Sequence, residues 1–519
     1  MERNVSEDSE KTQTSIKDRS FYKVYKDRLL NSATFNIFLC YSFIIFFVYI
    51  FFVSLFYRDV ANPYTLSADQ ADNSTEIFGD ISITEFLKSS TLTLFMFLAI
   101  TLVFGRICFY LDIPNLMGYV VFGMLIQNIP ILHDNFVIHE YFIETLRLLA
   151  VVLIVGRTSL NMSYLEFKKH WFNASMVSMP PTILNCGWII FLTHYVFGIP
   201  WEISLCYAFV IGVTAPPVAL AVAGGIVSEK LGTQRGIGQI MRVSALMDNA
   251  FCIAALNIVL DYSFEPDAYH IPTTAFHLGV GIGTGLILSW YMFNFPSRSK
   301  MALFLTTRSV MFFVSAASML FFFKTIGWYC TAAYAILLMG YICGTKYRMD
   351  EPGRKPFEQN YLDNVWNLFL EPWLFTFVGY FFKIREYNWT TIGICVIIVV
   401  SSVLVKILLT LISTSCLKLR FAEKVYLSIA FIPRGSIQVA NSIMILNLSK
   451  THSLSTIPSA GQDFYATVVI ALILTTTFGQ RFLRFAARKL LKAENSQSVN
   501  IEHNLSPKDG VETSTSIRF

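Results

Sequence analysis

Residues 236–260 read GIGQIMRVSALMDNAFCIAALNIVL. The run is long enough to cross a bilayer as a helix, which takes about 20 apolar residues. Near its middle stands Asp248, between Met247 and Asn249. A carboxylate at that depth costs roughly 2.5–3.5 kcal/mol on insertion scales, and intramembrane charges mark ion or proton paths. The plainer alternative is a carboxylate that only locks helices together. Arg242, the other charge in the run, is expected nearer the cytosolic end. One segment earlier, the apolar run Ile203–Val227 is broken at its centre by Thr214-Ala215-Pro216-Pro217. An interrupted helix beside a buried carboxylate is how secondary transporters build a cation site at the bilayer midplane.

The rest of the chain has the same character. It is 54% hydrophobic and 14% charged, with 47 Phe and a mean hydropathy of +0.53, against about 25% charged residues in soluble domains. The fold expected is an all-α polytopic membrane protein of about fourteen transmembrane helices. The spans are placed at 33–57, 90–110, 113–129, 142–161, 171–197, 202–227, 236–261, 272–294, 303–323, 327–345, 366–383, 389–416, 424–448 and 464–486. They make up a transmembrane domain over 33–487, between a polar cytosolic N-terminal arm (1–32) and a disordered cytosolic tail (488–519). The arm is polar and the first span is too long for a signal-peptide core, so no cleavable signal is expected.

Lys and Arg cluster in alternate connections: Lys168/Lys169, Lys230/Arg235, Arg298/Lys300, Lys346/Arg348 and Lys418/Arg420/Lys424. By the positive-inside rule both termini face the cytosol. Topology accounts for the net charge of +5 without a nucleic-acid partner. The partners expected are the lipid bilayer, monovalent cations and protons. The membrane is the plasma membrane or that of an internal organelle. Nine cysteines are scattered with no CxxC pair, which speaks against a disulfide framework, metal cluster or other cofactor. Asn73 and Asn388 begin glycosylation tripeptides, a weak signal. An enzyme reading finds no HExxH, GxSxG or Walker motif, and His194 and His270 are isolated.

A second break, Phe431-Ile432-Pro433-Arg434-Gly435-Ser436, interrupts the thirteenth span. Each break lies in the second of three consecutive spans, and seven spans separate them. An odd offset makes equivalent helices run in opposite directions, as inverted repeats require, with the binding site at their interface.

With these residues on view, the chain resembles the cation:proton antiporter superfamily. Within it the likeness is to the animal sodium/hydrogen exchanger-like (NHA-type) branch, related to the bacterial two-aspartate Na⁺/H⁺ antiporters. The matching stretches include IPNLMGYVVFGMLIQNIP (113–130), LLAVVLIVGRTSLNMSYLEFKKH (148–170), TAPPVALAV (214–222), MDNAFCIAALN (247–257), FPSR (295–298), EPWLFTFVG (371–379), VKILLTLI (405–412) and FIPRGSIQVA (431–440). The resemblance implies a homodimer, each subunit with scaffold helices for dimerisation and a core of helices within 171–261 and 389–486 that holds two crossed, broken helices.

Carried over, the resemblance implies that Asp248 is the first acid of the family's acidic pair. Thr214 and the carbonyls near Pro216 and Pro217 fall on the first broken helix, where oxygen ligands suit a hard cation. Lys406 falls on the basic residue facing the acid, and Arg434, after Pro433, on the basic residue of the second break. Thr214 has the alternative of bonding a carbonyl in its own helix, and Lys406 that of being only a charge partner. Two positions depart from the pattern. Asn249 stands where the second aspartate belongs, and Asn185 where close relatives place a buried glutamate. Asparagine can offer an oxygen to Na⁺ but cannot exchange a proton near neutral pH. The expected function is a secondary antiporter exchanging Na⁺ or Li⁺, with K⁺ a further candidate, for protons at Asp248 and Asn249. The alternative is a transport-inactive homologue acting as a membrane scaffold or regulator.

Overall fold

The computed structural model describes, apart from a few isolated positions, residues 38–50, 83–135, 138–232, 235–264, 270–295, 304–350, 356–451 and 460–491. The N-terminal arm, the flanks of the first span, the loop that holds Asn73 and the tail from 492 onward lie outside the described residues.

The described residues fold almost wholly into helices. The longer ones are α1 (Ile83–Tyr110), α2 (Asn115–Asn128), α3 (Glu140–Asn161), α4 (Tyr164–Ile190), α5 (Trp201–Ile211), α6 (Pro216–Ser228), α7 (Ile237–Phe264) and α8 (His270–Asn294). They continue as α9 (Phe304–Thr325), α10 (Tyr329–Asp350), α11 (Phe357–Val365), α12 (Glu371–Tyr380), α13 (Trp389–Ser413), α14 (Phe421–Ala430), α15 (Ser436–Thr451) and α16 (Ala460–Leu490). Every expected span from 90–110 onward falls on a helix or on a pair of half-helices. Among the described residues six segments are long and apolar enough to cross a membrane: Tyr164–Val196, Trp201–Ser228, Ile237–Tyr262, Thr273–Asn294, Phe304–Thr325 and Trp389–Cys416.

Local chemistry sets the ends and the irregularities. Ser163 caps α4 by accepting from the Glu166 amide, the Ser-x-x-Glu arrangement that satisfies free amides at a helix start. Pro180 and Pro181 lie inside α4, where each removes a hydrogen bond to the carbonyl four residues back. For Pro180 that carbonyl is Met176, and the Ser413 hydroxyl of α13 donates to it. The repair comes from a neighbouring helix, as a low-dielectric environment demands. Both broken helices restart on residues suited to an N-terminus. α6 opens on Pro216-Pro217, whose missing N–H groups would have had no intrahelical acceptor. At the start of α15 the Gln438 side chain turns back to accept from the Gly435 amide at 2.8 Å.

Two tight crossings fix helices away from the breaks. A Cβ on Gly123 of α2 would lie 2.0 Å from the Thr376 carbonyl oxygen of α12, and one on Gly379 of α12 would lie 2.1 Å from the Val120 oxygen. Gly281 and Gly285 of α8 meet the α10 backbone at Thr331 and Ala335 in the same way. Small residues four apart let backbones approach where lipid gives no hydrophobic drive to association.

Around the breaks, α4, α5, α6, α7, α13, α14, α15 and α16 form one bundle: α7 packs on α4, α5 and α6, α13 on α4, α14 and α16, and α15 on α16. α3 lies against α7 and α15. Two apolar clusters bracket the crossing of the breaks. One gathers Ile189, Ile203, Val210, Leu256, Ile398 and Phe464. The other gathers Val177, Ala219, Val222, Ile240, Tyr426 and Leu427. The polar layer between them is where the charged residues meet.

Candidate ion-binding site

α13 shows how the sequence carries a charge into this layer. Its buried residues are Cys395, Ile398, Val399, Ser402, Lys406 and Thr410, a single stripe at helical spacing. Ile397, Val400, Leu404, Leu408 and Ile412 are exposed on the other faces, as lipid contact requires. Lys406 therefore points inward, only 3% exposed, and donates to Asp248 Oδ2 at 3.0 Å, Gly212 O at 2.7 Å and Thr214 Oγ1 at 3.1 Å. Those three bonds use all the donors of an ammonium group.

Asp248 is fully buried. Its Oδ2 also accepts from the Thr214 backbone N–H at 2.9 Å, and its Oδ1 accepts from the Thr182 hydroxyl. The amide that binds it is one the break in the first helix leaves without an intrahelical acceptor. The carboxylate thus touches α4, the first break and α13 at once. Isolated charges are too costly to bury, whereas a paired and fully hydrogen-bonded one is tolerated.

The two breaks also bind each other. Ala215 N–H donates to Pro433 O at 2.9 Å. Arg434 Nη1 donates to Val213 O at 2.7 Å and Gly212 O at 3.2 Å, at the C-terminal end of α5. Gln438 Nε2 donates to Val213 O at 2.7 Å. Those carbonyls carry the negative end of the half-helix dipole, where cationic donors are favoured. Thr214 Oγ1 reaches Phe431 O, in the other broken helix, at 3.4 Å.

Asp248, Thr214, Lys406, Pro433 and Arg434 are thus brought together, with Pro216 and Pro217 opening the half-helix beside them. Asn249 turns elsewhere. Its Nδ2 donates to Thr158 Oγ1 of α3 at 2.9 Å, and its buried Oδ1 has no hydrogen-bond partner. A cleft lined by Arg157, Thr158, Asn161, Pro216, Pro217 and Ser436 opens on this side of the crossing. Asn185 is fully buried and donates to Ser402 Oγ at 3.2 Å. Arg242 pairs with Glu166 at 3.1 Å, both partly exposed. Asn388 is exposed at the start of α13.

Sequence reasoning missed Thr182, Gln438 and Thr158. Polar uncharged residues are common in spans, so none stood out. The one available signal was for Thr182, which directly follows the Pro180-Pro181 pair in mid-helix.

Two crossed, interrupted helices with a buried acid–base pair where they meet define a secondary carrier for small ions. Comparison with known proteins sharpens the class. The family described as sodium/hydrogen exchanger, transmembrane, matches residues 93–485, and the chain belongs to it. Human Sodium/hydrogen exchanger 9B2 is 25% identical over 394 residues, covering 75% of this chain and 72% of that protein. Sodium/hydrogen exchanger 9B1 of Macaca fascicularis is 23% identical over 382 residues, covering 73% of each. Among solved structures, the sodium proton antiporter MjNhaP1 from Methanocaldococcus jannaschii superposes with a TM-score of 0.60 at 14% identity, covering 78% of this chain and 99% of that one. At that identity the superposition speaks to the fold alone.

Proposed function

We propose that this protein exchanges one monovalent cation, Na⁺ or Li⁺, for one proton across its membrane, with Asp248 as the cation-binding group. The observation that carries the reading is the Asp248–Lys406 pair at 3.0 Å, buried at the crossing of the breaks.

The charge count at that pair generates the exchange. In the proton-loaded form Asp248 is anionic and Lys406 cationic, so the pair is neutral. A cation arriving at Oδ2 displaces the ammonium, which then faces a positive charge a few ångströms away and only two neutral oxygens. At 4 Å and an effective dielectric of 20, like charges repel by about 4 kcal/mol. Release of the Lys406 proton removes that repulsion, and the cation-loaded site is again neutral. The empty pair, an anionic Asp248 beside a neutral amine, has lost its balancing charge, a state that the apolar clusters on either side oppose. Only the two loaded forms move, so cation and proton travel in opposite directions.

The resemblance supports the remaining parts of the reading. Residues 33–487 form fourteen spans with both termini cytosolic. Helices within 171–261 and 389–486 move as a core against scaffold helices that pair two subunits. Asn249 Oδ1, buried without a hydrogen-bond partner, adds a neutral ligand, and K⁺ is a further candidate cargo. The membrane is the plasma membrane or that of an organelle.

Purified protein in proteoliposomes with an interior pH dye tests the proposal. Na⁺ or Li⁺ added outside should alkalinise the lumen of acid-loaded vesicles. The rate should not change when a potassium ionophore clamps the membrane potential. No cation-dependent signal with Na⁺, Li⁺ or K⁺ would leave the transport-inactive scaffold as the better description.

A further inference from the structure

The mechanism above gives no task to Arg434, the second buried cation at the crossing. Arg434 is 1% exposed and binds the α5 carbonyls through Nη1. Its Nε and Nη2 are buried with no acceptor. Buried donors in native proteins nearly always find a partner, and a charged donor without one is costly.

The charge count points to what is missing. Among the described residues the crossing holds Lys406 and Arg434 against Asp248 alone, an excess of one positive charge. Asp248, Cys252 and Cys186 lie within electrostatic reach of the guanidinium. The carboxylate is already shared by Lys406, Thr182 and Thr214, and the other two are thiols. Asn185, next to Cys186 on the same turn of α4, is neutral. Its Oδ1 also lacks a partner while its Nδ2 points at a hydroxyl.

We infer that the free edge of Arg434 holds a small monovalent anion of the halide type. A single negative charge cancels the excess, and a monatomic ion suits a layer whose side chains are closed off by apolar clusters. Held there, the anion also weakens the repulsion that a cation meets on its way to Asp248. This last step rests on the exchange reading. Anion binding itself does not.

The test therefore separates the two. Purified protein is unfolded thermally in choline chloride, choline bromide and choline gluconate at equal ionic strength, with no transported cation present. Chloride and bromide should raise the midpoint saturably over gluconate, as ligand binding to the native state requires. Arg434→Gln should abolish the response. Asn185→Glu, which supplies a fixed carboxylate beside Cys186 on α4, should make the midpoint independent of halide. If Arg434→Gln does not fold, Asn185→Glu carries the comparison. Equal midpoints in all three salts overturn the inference and leave water at the guanidinium. A halide response that survives both substitutions also overturns it, since the anion then binds elsewhere. In proteoliposomes, replacing chloride by gluconate on both sides should slow cation-dependent proton flux at least threefold. A halide-dependent midpoint without any flux would keep the anion site and remove the exchange reading.

Discussion

Removing Lys406 while leaving Asp248 in place exposes how much of the site is held by one ion pair. At 3.0 Å and an effective dielectric of 20, the attraction is about 5–6 kcal/mol. Lys406→Met discards it, leaves Thr214 Oγ1 without that donor, and leaves Gly212 O with Arg434 Nη1 alone. Breaking a buried pair by deleting one partner costs about 3–5 kcal/mol, because the other charge stays buried. The double variant Asp248→Asn/Lys406→Met has no stranded charge, and replacing both members of such a pair is often neutral. The double variant should therefore be more stable than Lys406→Met by about 3–5 kcal/mol. At roughly 2–4 °C per kcal/mol for larger domains, that is about 6–20 °C in the unfolding midpoint of detergent-purified protein. The four-membered cycle isolates the coupling. A double variant at least as unstable as Lys406→Met would mean that Lys406 acts on the carbonyls alone, and the charge-counting mechanism would fall with the pair.

Asp248→Asn keeps the side-chain volume and removes the only carboxylate at the crossing, so cation-dependent flux should disappear while expression and monodispersity persist; retained flux would place transport elsewhere. Thr182→Val deletes a donor to Asp248 Oδ1, a charge-assisted bond worth about 1.5–3 kcal/mol, and should change the apparent KM for the cation at least tenfold; an unchanged KM would show that Oδ1 takes no part in loading. Asn249→Asp adds a second exchangeable group, so Na⁺- or Li⁺-dependent flux should rise and its pH optimum move, because neighbouring carboxylates titrate as a coupled unit. A scaffold without transport would gain nothing from that change. Gly123→Ala and Gly379→Ala each force a methyl onto an opposing carbonyl and should sharply lower the yield of folded protein in size-exclusion profiles; wild-type profiles would contradict the α2–α12 crossing.

Charge made most of this site readable from sequence. Asp248 and Lys406 stand out because an ionisable residue in an apolar run is rare, and the TAPP and FIPRGS breaks because proline cannot continue a helix. Arg434 was legible as a member of the second break, but the unused edge of its guanidinium was not. That depends on where every neighbouring acceptor is already committed. Thr182, Thr158 and Gln438 stayed hidden because a hydroxyl or amide in a span has many local partners, and only the packing of α4, α3 and α15 decides which one it takes. The sequence offers Thr214 as an oxygen ligand, and its backbone N–H also contacts Asp248. That amide became available only because the helix is interrupted. The helices themselves were legible almost throughout, since apolar length is a property of the chain. Which helices share the bundle at the crossing was suggested only by the resemblance, through helices within 171–261 and 389–486, because it rests on contacts between distant segments.

The partners at the crossing are far apart along the chain: Lys406 lies 158 residues after Asp248. A ribosome adding about 5–20 residues per second needs on the order of 8–30 s to reach it. For that interval α7 has left the ribosome with a carboxylate destined for the membrane interior, while the lysine that will neutralise it has not been made. Thr182 and the first break are already present, so the early helices can offer hydrogen bonds but no counter-charge. The newborn protein must shelter α7 at the insertion machinery or hold its acid in the neutral form until α13 arrives. Chains that end before residue 389 should therefore be cleared by membrane quality control more readily than their hydrophobicity suggests, and Asp248→Asn should protect those fragments while silencing the full-length carrier.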